Sequence, residues 1–348
     1  MAVREIQRKM EPKSRLVVWG CLPKINPESL SAVYTGPVVG PDDKNFFEGL
    51  LGKPIVPFDS LEAAGAQDML VSSESCGQAR DQHSDALTDA LILFKQDWDR
   101  LWRRARQNTN YCIRVASGCT GRCTYCSERC AFGRIKSRSI TSIVSELERG
   151  LKRGYNRFSL IATDLGAYGR DMGCMLSDLL REMIRVDGNR KYKIILNQVN
   201  PFYLREMFSD LEEMLASGKI EALNCPVQSG SERILKLMGR PHTAKEWKGY
   251  MTRITRRFPS VRLSTHFMVG FPTETEEDFQ ATLRLLDYPL SLDRIVVFKF
   301  SGRPRVYAAH VAGQVPEEIK ELRSRKLLHK HARSYLFNFG TRWVHNTF

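Results

Sequence analysis

The sequence predicts an α/β protein built on an all-parallel sheet of six strands covered by helices. Three observations carry that expectation. Apolar runs at 111–116, 157–162, 192–199, 220–226, 261–269 and 294–300 have the length and composition of strands. Between them lie helical patterns with a single apolar stripe, such as Ile140, Ile143, Val144, Leu147 and Leu151, or Leu176, Leu179, Leu180, Met183 and Ile184. No hairpin signal separates the runs, so successive strands cross over through helices and lie parallel. In such sheets the chemistry collects at the carboxyl ends of the strands.

With 348 residues, 42% of them hydrophobic, the chain can form one large barrel or two domains. It contains nine cysteines, with no signal-peptide pattern and no apolar run of about eighteen residues. That combination points to a reducing cytoplasm and to metal ligation, and away from a disulfide framework or a membrane span. The net charge of +14 favours an anionic partner such as RNA, a phosphorylated substrate or an acidic carrier, although a basic enzyme without such a partner fits it equally well.

In chain order, residues 1–14 are polar and read as a frayed terminus. RLVVWGCLPKINPESL (15–30) is a short apolar run ending at Gly20-Cys21, followed by a proline-bounded helix start. Residues 41–84 have loop composition and contain Cys76. Residues 85–106 form an amphipathic helix with Leu87, Leu91, Phe94, Trp98, Leu101 and Trp102 on one stripe.

After the first strand, Ser117 to Ser139 places Cys119, Cys123 and Cys126 in a CxxxCxxC spacing. Three thiolates so close together point to a metal site. Structural zinc sites are closed by four ligands, whereas here the local count stops at three with no histidine nearby. Gly118, Gly121 and Gly133 would let the loop wrap an inorganic cluster closely, and three structural cysteines are the plainer alternative. Further along, Thr243 with Glu246 makes a capping box, and Pro316 suits the first position of a final helix.

The string GCTGRCTYC (118–126) with GRIKSRS (133–139) resembles the radical S-adenosylmethionine (SAM) superfamily and, within it, the methylthiotransferase branch. Three later stretches are similar to motifs of the same branch: LIATDLGAYG (160–169), CPVQSGSERILKLMGR (225–240) and THFMVGFPTETEEDF (265–279). The resemblance implies a partial (β/α)6 parallel barrel over 107–315, preceded by a small truncated α/β domain at 1–84 and the connecting helix at 85–106. A basic helix and tail at 316–348 stand where the branch leads into an RNA-binding barrel domain.

It also implies that Cys119, Cys123 and Cys126 hold a 4Fe-4S cluster whose open iron chelates SAM, and that electron transfer then yields a 5′-deoxyadenosyl radical. Tyr125, Gln198, Gln228, Ser229, Ser231, Gly270 and Phe271 are the implied cofactor contacts. A second 4Fe-4S cluster would draw on Cys21, in its GCL setting, and on Cys76, each of which is otherwise an ordinary thiol. Cys130, Cys174 and Cys225 lie near strand ends and are read first as packing residues.

The motifs also depart from the branch. Thr163, His266 and Thr273 replace the usual Gln, Asp and Gly, while Ser117, Gln198 and Asn200 alter the substrate side. His266 is read as a structural hydrogen-bonding residue. The function implied is insertion of sulfur or a methylthio group, with an external electron donor such as a flavodoxin or ferredoxin. A radical SAM reaction without sulfur chemistry and a non-catalytic iron-sulfur module that binds nucleic acid are the alternatives. Because both flanking recognition parts look lost, the expected substrate is a small metabolite, such as a nucleoside or peptide natural product, rather than a nucleic acid.

Overall fold

The computed structural model describes residues 16–40, 110–186 and 191–345. The expected helix at 85–106 and Cys76 lie outside the described residues. The N-terminal piece runs β1 (Val18–Trp19), α1 (Leu22–Ile25), α2 (Pro27–Ser31) and β2 (Val38–Val39). Next come β3 (Asn110–Arg114), β4 (Ala116–Ser117), α3 (Glu128–Phe132), β5 (Lys136–Ser137), α4 (Ile140–Lys152), β6 (Arg157–Ile161), α5 (Leu176–Arg185) and β7 (Lys193–Leu196). The chain continues with α6 (Pro201–Ala216), β8 (Ile220–Asn224), α7 (Glu232–Leu237), α8 (Ala244–Arg257), β9 (Arg262–Val269), α9 (Glu276–Arg284), β10 (Arg294–Lys299) and α10 (Glu317–His345).

The six long strands form one sheet in the order β10-β9-β8-β7-β6-β3, and every neighbouring pair is parallel. That strictly sequential order is what repeated strand-helix crossovers produce, and it gives the partial barrel expected from the sequence. A row of register partners crosses five strands: Ile113, Leu160, Leu196, Leu223 and Leu263, all fully buried. They pack with helix residues such as Leu147, Leu179, Leu204 and Trp247 in one core. Leu196→Ala, in the middle of that row, would cost about 2–5 kcal/mol through lost transfer energy and an unfilled cavity. The opposite face is more polar: the Asn224 amide donates to Ser264 Oγ at 2.9 Å, and Glu221 is ion-paired with both Arg157 and Arg262.

Local signals fix the helix ends. Ser139 caps α4 by accepting from Ser142 N at 3.3 Å. Thr243 and Glu246 form the expected capping box on α8, and Thr275 with Asp278 forms another on α9. Pro316 immediately precedes α10, and its carbonyl accepts from Lys320 N at 3.1 Å. None of the helices among the described residues is long and apolar enough to cross a membrane.

One feature departs from the all-parallel expectation. The apolar run at 111–116 breaks after β3, and β4 pairs antiparallel with β5, Ala116 opposite Ser137 and Ser117 opposite Lys136. The short pairing closes the neck of the cysteine loop. On the N-terminal side, α1 packs against α3, and Arg305 donates to the Lys24 carbonyl at 2.8 Å. The Cys21 segment is thereby held beside the helix that follows the loop.

Candidate active site

The cysteine loop is fastened from several directions. Gly118 has φ +76°, and a Cβ there would lie 2.1 Å from the Arg134 carbonyl oxygen, so only glycine lets the two arms of the loop approach. Thr124 N donates to the Met238 carbonyl and Ala308 N to the Thr124 carbonyl, both at 3.0 Å. The Thr120 hydroxyl bonds that of Tyr203 on α6, and Arg129 donates to the Gly121 carbonyl at 3.2 Å. Gly121 sits between two of the thiols: a Cβ there would lie 3.3 Å from Cys119 Sγ and 3.7 Å from Cys123 Sγ.

Burial pushes the Cys119 thiol up to about 11, with Asp164 adding to it. It pushes Cys126 up to about 12, with Glu128 adding to it. The loop alone therefore favours neutral thiols, and a cationic centre would reverse that preference. Among the described residues no three His, Cys, Asp or Glu side chains converge as ligands of one metal ion. In a cubane each thiolate ligates a different iron, so its ligands need not converge on a single point. Three soft sulfur donors and a glycine-lined approach fit such a cluster.

Two neighbours were not singled out from the sequence. Cys119 Sγ donates to Asp164 Oδ2 at 3.8 Å, and the Asn200 amide donates to the same oxygen at 3.3 Å. Asp164 is buried, and its Oδ1 has no partner among the described residues; burial raises its pKa. Arg240 donates from Nη1 to Cys123 Sγ at 3.8 Å and from Nη2 to the Pro226 carbonyl at 2.7 Å. Burial works against the guanidinium charge, but Tyr125, Cys123 and Asp164 around it outweigh burial and raise its pKa. Both residues stand inside motifs already quoted, and only the fold shows which cysteine each one meets.

The expected cofactor contacts fall into two groups. In the first, Gln198 and Gln228 have positive φ, at +60° and +75°, as does Thr273, one of the motif departures, at +66°. Such backbone is costly for residues with a side chain and clusters at functional sites. Gln228 is held by backbone bonds to His266 and Met268, each 2.8 Å, while its buried Oε1 has no partner among the described residues. Tyr125 packs partly buried against the cluster of Phe271, Phe300, Ile234 and Met238.

The second group is engaged internally. Ser229 Oγ accepts from Ser231 N at 3.1 Å and lies 3.3 Å from Thr282 Oγ1, and Ser231 Oγ donates to Asp278 at 2.5 Å while capping α7. Phe271 is buried edge-on against Phe300. Gly270 has φ +72°, and a Cβ there would lie 2.2 Å from Lys320 Cγ on α10. His266 meets Phe298 edge to face at 5.4 Å; burial, with Arg294 and Arg240 nearby, lowers its pKa to about 4. Cys21 heads α1, Cys130 is exposed, Cys174 is half-buried and Cys225 is buried in the core.

The chain is similar to known proteins. The Radical SAM superfamily model matches residues 113–286. The "probable threonylcarbamoyladenosine tRNA methylthiotransferase" of Archaeoglobus fulgidus is 34% identical over 77% of this chain, which spans 64% of that relative. The protein of the same name from Pyrococcus abyssi is 31% identical over 94% of this chain and 70% of its own length. Among solved structures, the cobalamin-dependent SAM radical enzyme OxsB with aqua-cobalamin and SAM bound aligns with TM-score 0.52 at 13% identity, over 90% of this chain and 43% of that one, a likeness of fold.

Both sequence relatives are named for tRNA, a macromolecule, and this overturns the expectation of a small-metabolite substrate. That expectation rested on where the chain begins and ends, which carries no information about what the barrel accepts. The matched model, the six sequential parallel strands and the loop of three cysteines together establish that the chain belongs to the radical SAM superfamily, in its methylthiotransferase branch.

Proposed function

We propose that this protein is a radical SAM methylthiotransferase acting on tRNA, with Cys119, Cys123 and Cys126 as ligands of the SAM-binding 4Fe-4S cluster. The observation that supports this most is the clamped CxxxCxxC loop at the carboxyl rim of the sheet, with Cys119 and Cys123 flanking Gly121. When bound, the cluster and SAM supply a 5′-deoxyadenosyl radical able to abstract hydrogen from an unactivated carbon. In this reading Asp164 and Arg240 position the sulfurs of Cys119 and Cys123. Tyr125, Gln198 and Gln228 border the cofactor, while Gly270, Ser229, Ser231 and Phe271 support that border from behind.

A second 4Fe-4S cluster as the sulfur source would use Cys21, and α1 packing on α3 keeps that residue on the side of the cysteine loop. The enzyme would work in the cytoplasm with a flavodoxin or ferredoxin as electron donor. The test is anaerobic reconstitution of the full chain, with SAM, dithionite and tRNA that carries threonylcarbamoyladenosine, the nucleoside the relatives are named for, without a methylthio group. The wild type should form 5′-deoxyadenosine and a tRNA nucleoside heavier by one methylthio group. Changing all three loop cysteines to Ala should abolish both products. SAM cleavage by that variant would refute the ligand assignment, and cleavage by the wild type without tRNA modification would refute the substrate.

A further inference from the structure

The surface of α8 away from the core is a basic groove of about 470 Å³, lined by Lys245, Lys248, Thr252, Arg253, Arg256 and Arg257 with Gly249. These positions recur at helical spacing on one face. At 1.5 Å per residue the stripe runs for about 18 Å, against phosphates that follow one another every ~3.4 Å along each strand of a duplex.

Two of the cations are held in place from beneath. Glu212 on α6 is buried and accepts from Arg253 Nε at 2.6 Å and Nη2 at 2.5 Å, and from Arg257 Nη1 at 2.9 Å. Arg253 also lies over the Phe208 ring at 5.6 Å and Arg257 over Phe258 at 5.5 Å. A solvated helix face needs neither a buried carboxylate nor an aromatic floor to fix its arginines. Fixed guanidiniums lose little freedom on meeting an anion, and their planar donor forks match phosphate. Lys245 and Arg256 are exposed beside them, and Lys248 is anchored through the Arg284 carbonyl at 2.9 Å. One carboxylate under five cations leaves the groove strongly positive.

We infer that the α8 groove, with Arg253 and Arg257 preset by Glu212, docks the phosphate backbone of an RNA partner while the substrate nucleotide is presented at the barrel rim. The choice of RNA rests on the tRNA reading above; the demand for an extended polyanion rests on the groove itself. The crossover that contains α8 joins β8 to β9, so it begins at the carboxyl rim where Gln228 lies. Lys245 is therefore at the end of the stripe nearer the candidate active site.

The experiment compares the reconstituted wild type with Lys245→Glu/Lys248→Glu/Arg256→Glu, using a fluorescein-labelled tRNA stem-loop that carries threonylcarbamoyladenosine without a methylthio group, and anisotropy at several salt concentrations. The variant should bind about ten-fold or more weakly, and the slope of log affinity against log salt should shrink by about 0.7–0.9 for each phosphate contact removed. SAM cleavage should stay at the wild-type value, and the melting temperature should fall only by what the single Lys248 bond to the Arg284 carbonyl contributes, since Lys245 and Arg256 lie on the surface. Glu212→Gln, which unpins two arginines without removing a cation, should weaken binding less and keep the slope. Wild-type affinity and slope in the triple variant would overturn the inference. So would displacement of the RNA by poly-L-glutamate at equal charge concentration, which would assign the groove to an acidic protein instead. If wild-type protein binds the stem-loop but never modifies it, the proposed activity fails while the groove still stands or falls on its own slope.

Discussion

Arg240 and Cys123 stand 117 positions apart in sequence, yet the guanidinium Nη1 donates to the Cys123 sulfur at 3.8 Å. The Pro226 carbonyl, 2.7 Å from Nη2, fixes the donor's direction. A hydrogen bond to a thiolate stabilises its negative charge, and in an iron-sulfur cluster such bonds raise the reduction potential. Arg240→Gln should therefore shift the cluster's midpoint potential in the negative direction, read by redox titration with electron paramagnetic resonance. Arg240→Lys should recover part of the shift. An unchanged potential in both variants would mean that the contact is packing alone.

The iron content of the whole chain separates one cluster from two. Two cubanes hold about eight irons per chain, and loss of an auxiliary one leaves about four. Cys21→Ala/Cys76→Ala is expected to lower iron by roughly half and to stop sulfur insertion while SAM cleavage continues. A double variant that retains its full iron would redirect the search to Cys130 and Cys174, since Cys225 is packed in the core.

Gly270 offers a test of packing against binding. Because a Cβ there would meet Lys320 Cγ at 2.2 Å, and because φ is +72°, Gly270→Ala should destabilise the fold by about 1–3 kcal/mol. Lys320→Ala in the same chain should restore the steric part but not the backbone part. A double-mutant cycle in urea measures the coupling, with about 0.5–3 kcal/mol expected for residues in contact. Additive effects would show that the α10 side chain does not press on this turn.

Asp278 gives a stability change of predictable sign with pH. It accepts from Ser231 Oγ at 2.5 Å, from Thr275 N at 2.9 Å and from Thr275 Oγ1 at 3.0 Å, and it pairs with Arg233. Burial alone would raise its pKa, but the Arg233, Ser231 and Thr275 bonds outweigh that and depress it well below the usual carboxylate range. A depressed folded pKa means the stabilisation is complete above the unfolded value of about 3.9 and is lost as pH falls beneath it. Asp278→Asn should thus cost about 2 kcal/mol near neutrality, as expected for charge-assisted hydrogen bonds. The gap between variant and wild type in urea midpoint should narrow from pH 5 towards pH 3. A gap that stayed constant would place the stabilisation elsewhere.

The strands were legible because each is a short apolar run between capped helices, and Thr243 with Glu246 marks one such boundary in the sequence itself. The β4–β5 pairing was not, since two residues on each side carry no periodicity. The loop cysteines could be found from spacing, but Asp164 and Arg240 could not be joined to them, because the contacts bridge 45 and 117 positions. The PVQSGS stretch reads in sequence as a ligand-binding turn. In the fold, Gly230 admits the backbone of α9, where a Cβ would lie 2.4 Å from the Ala281 carbonyl oxygen, and the neighbouring serines bond α9 side chains.

The fastening of the cysteine loop also orders events in the life of the chain. Besides its own local fastenings, Ser117 to Lys136 is held by Tyr203, Met238 and Ala308, which all follow it in the sequence. A nascent chain that has emerged only as far as β6 has the three thiols without the scaffold that spaces them. If the loop takes up a cluster, iron and sulfide delivered once Ala308 has docked would meet a fully fastened loop, whereas a chain cut before α7 would present thiols without the bonds from Met238 and Ala308.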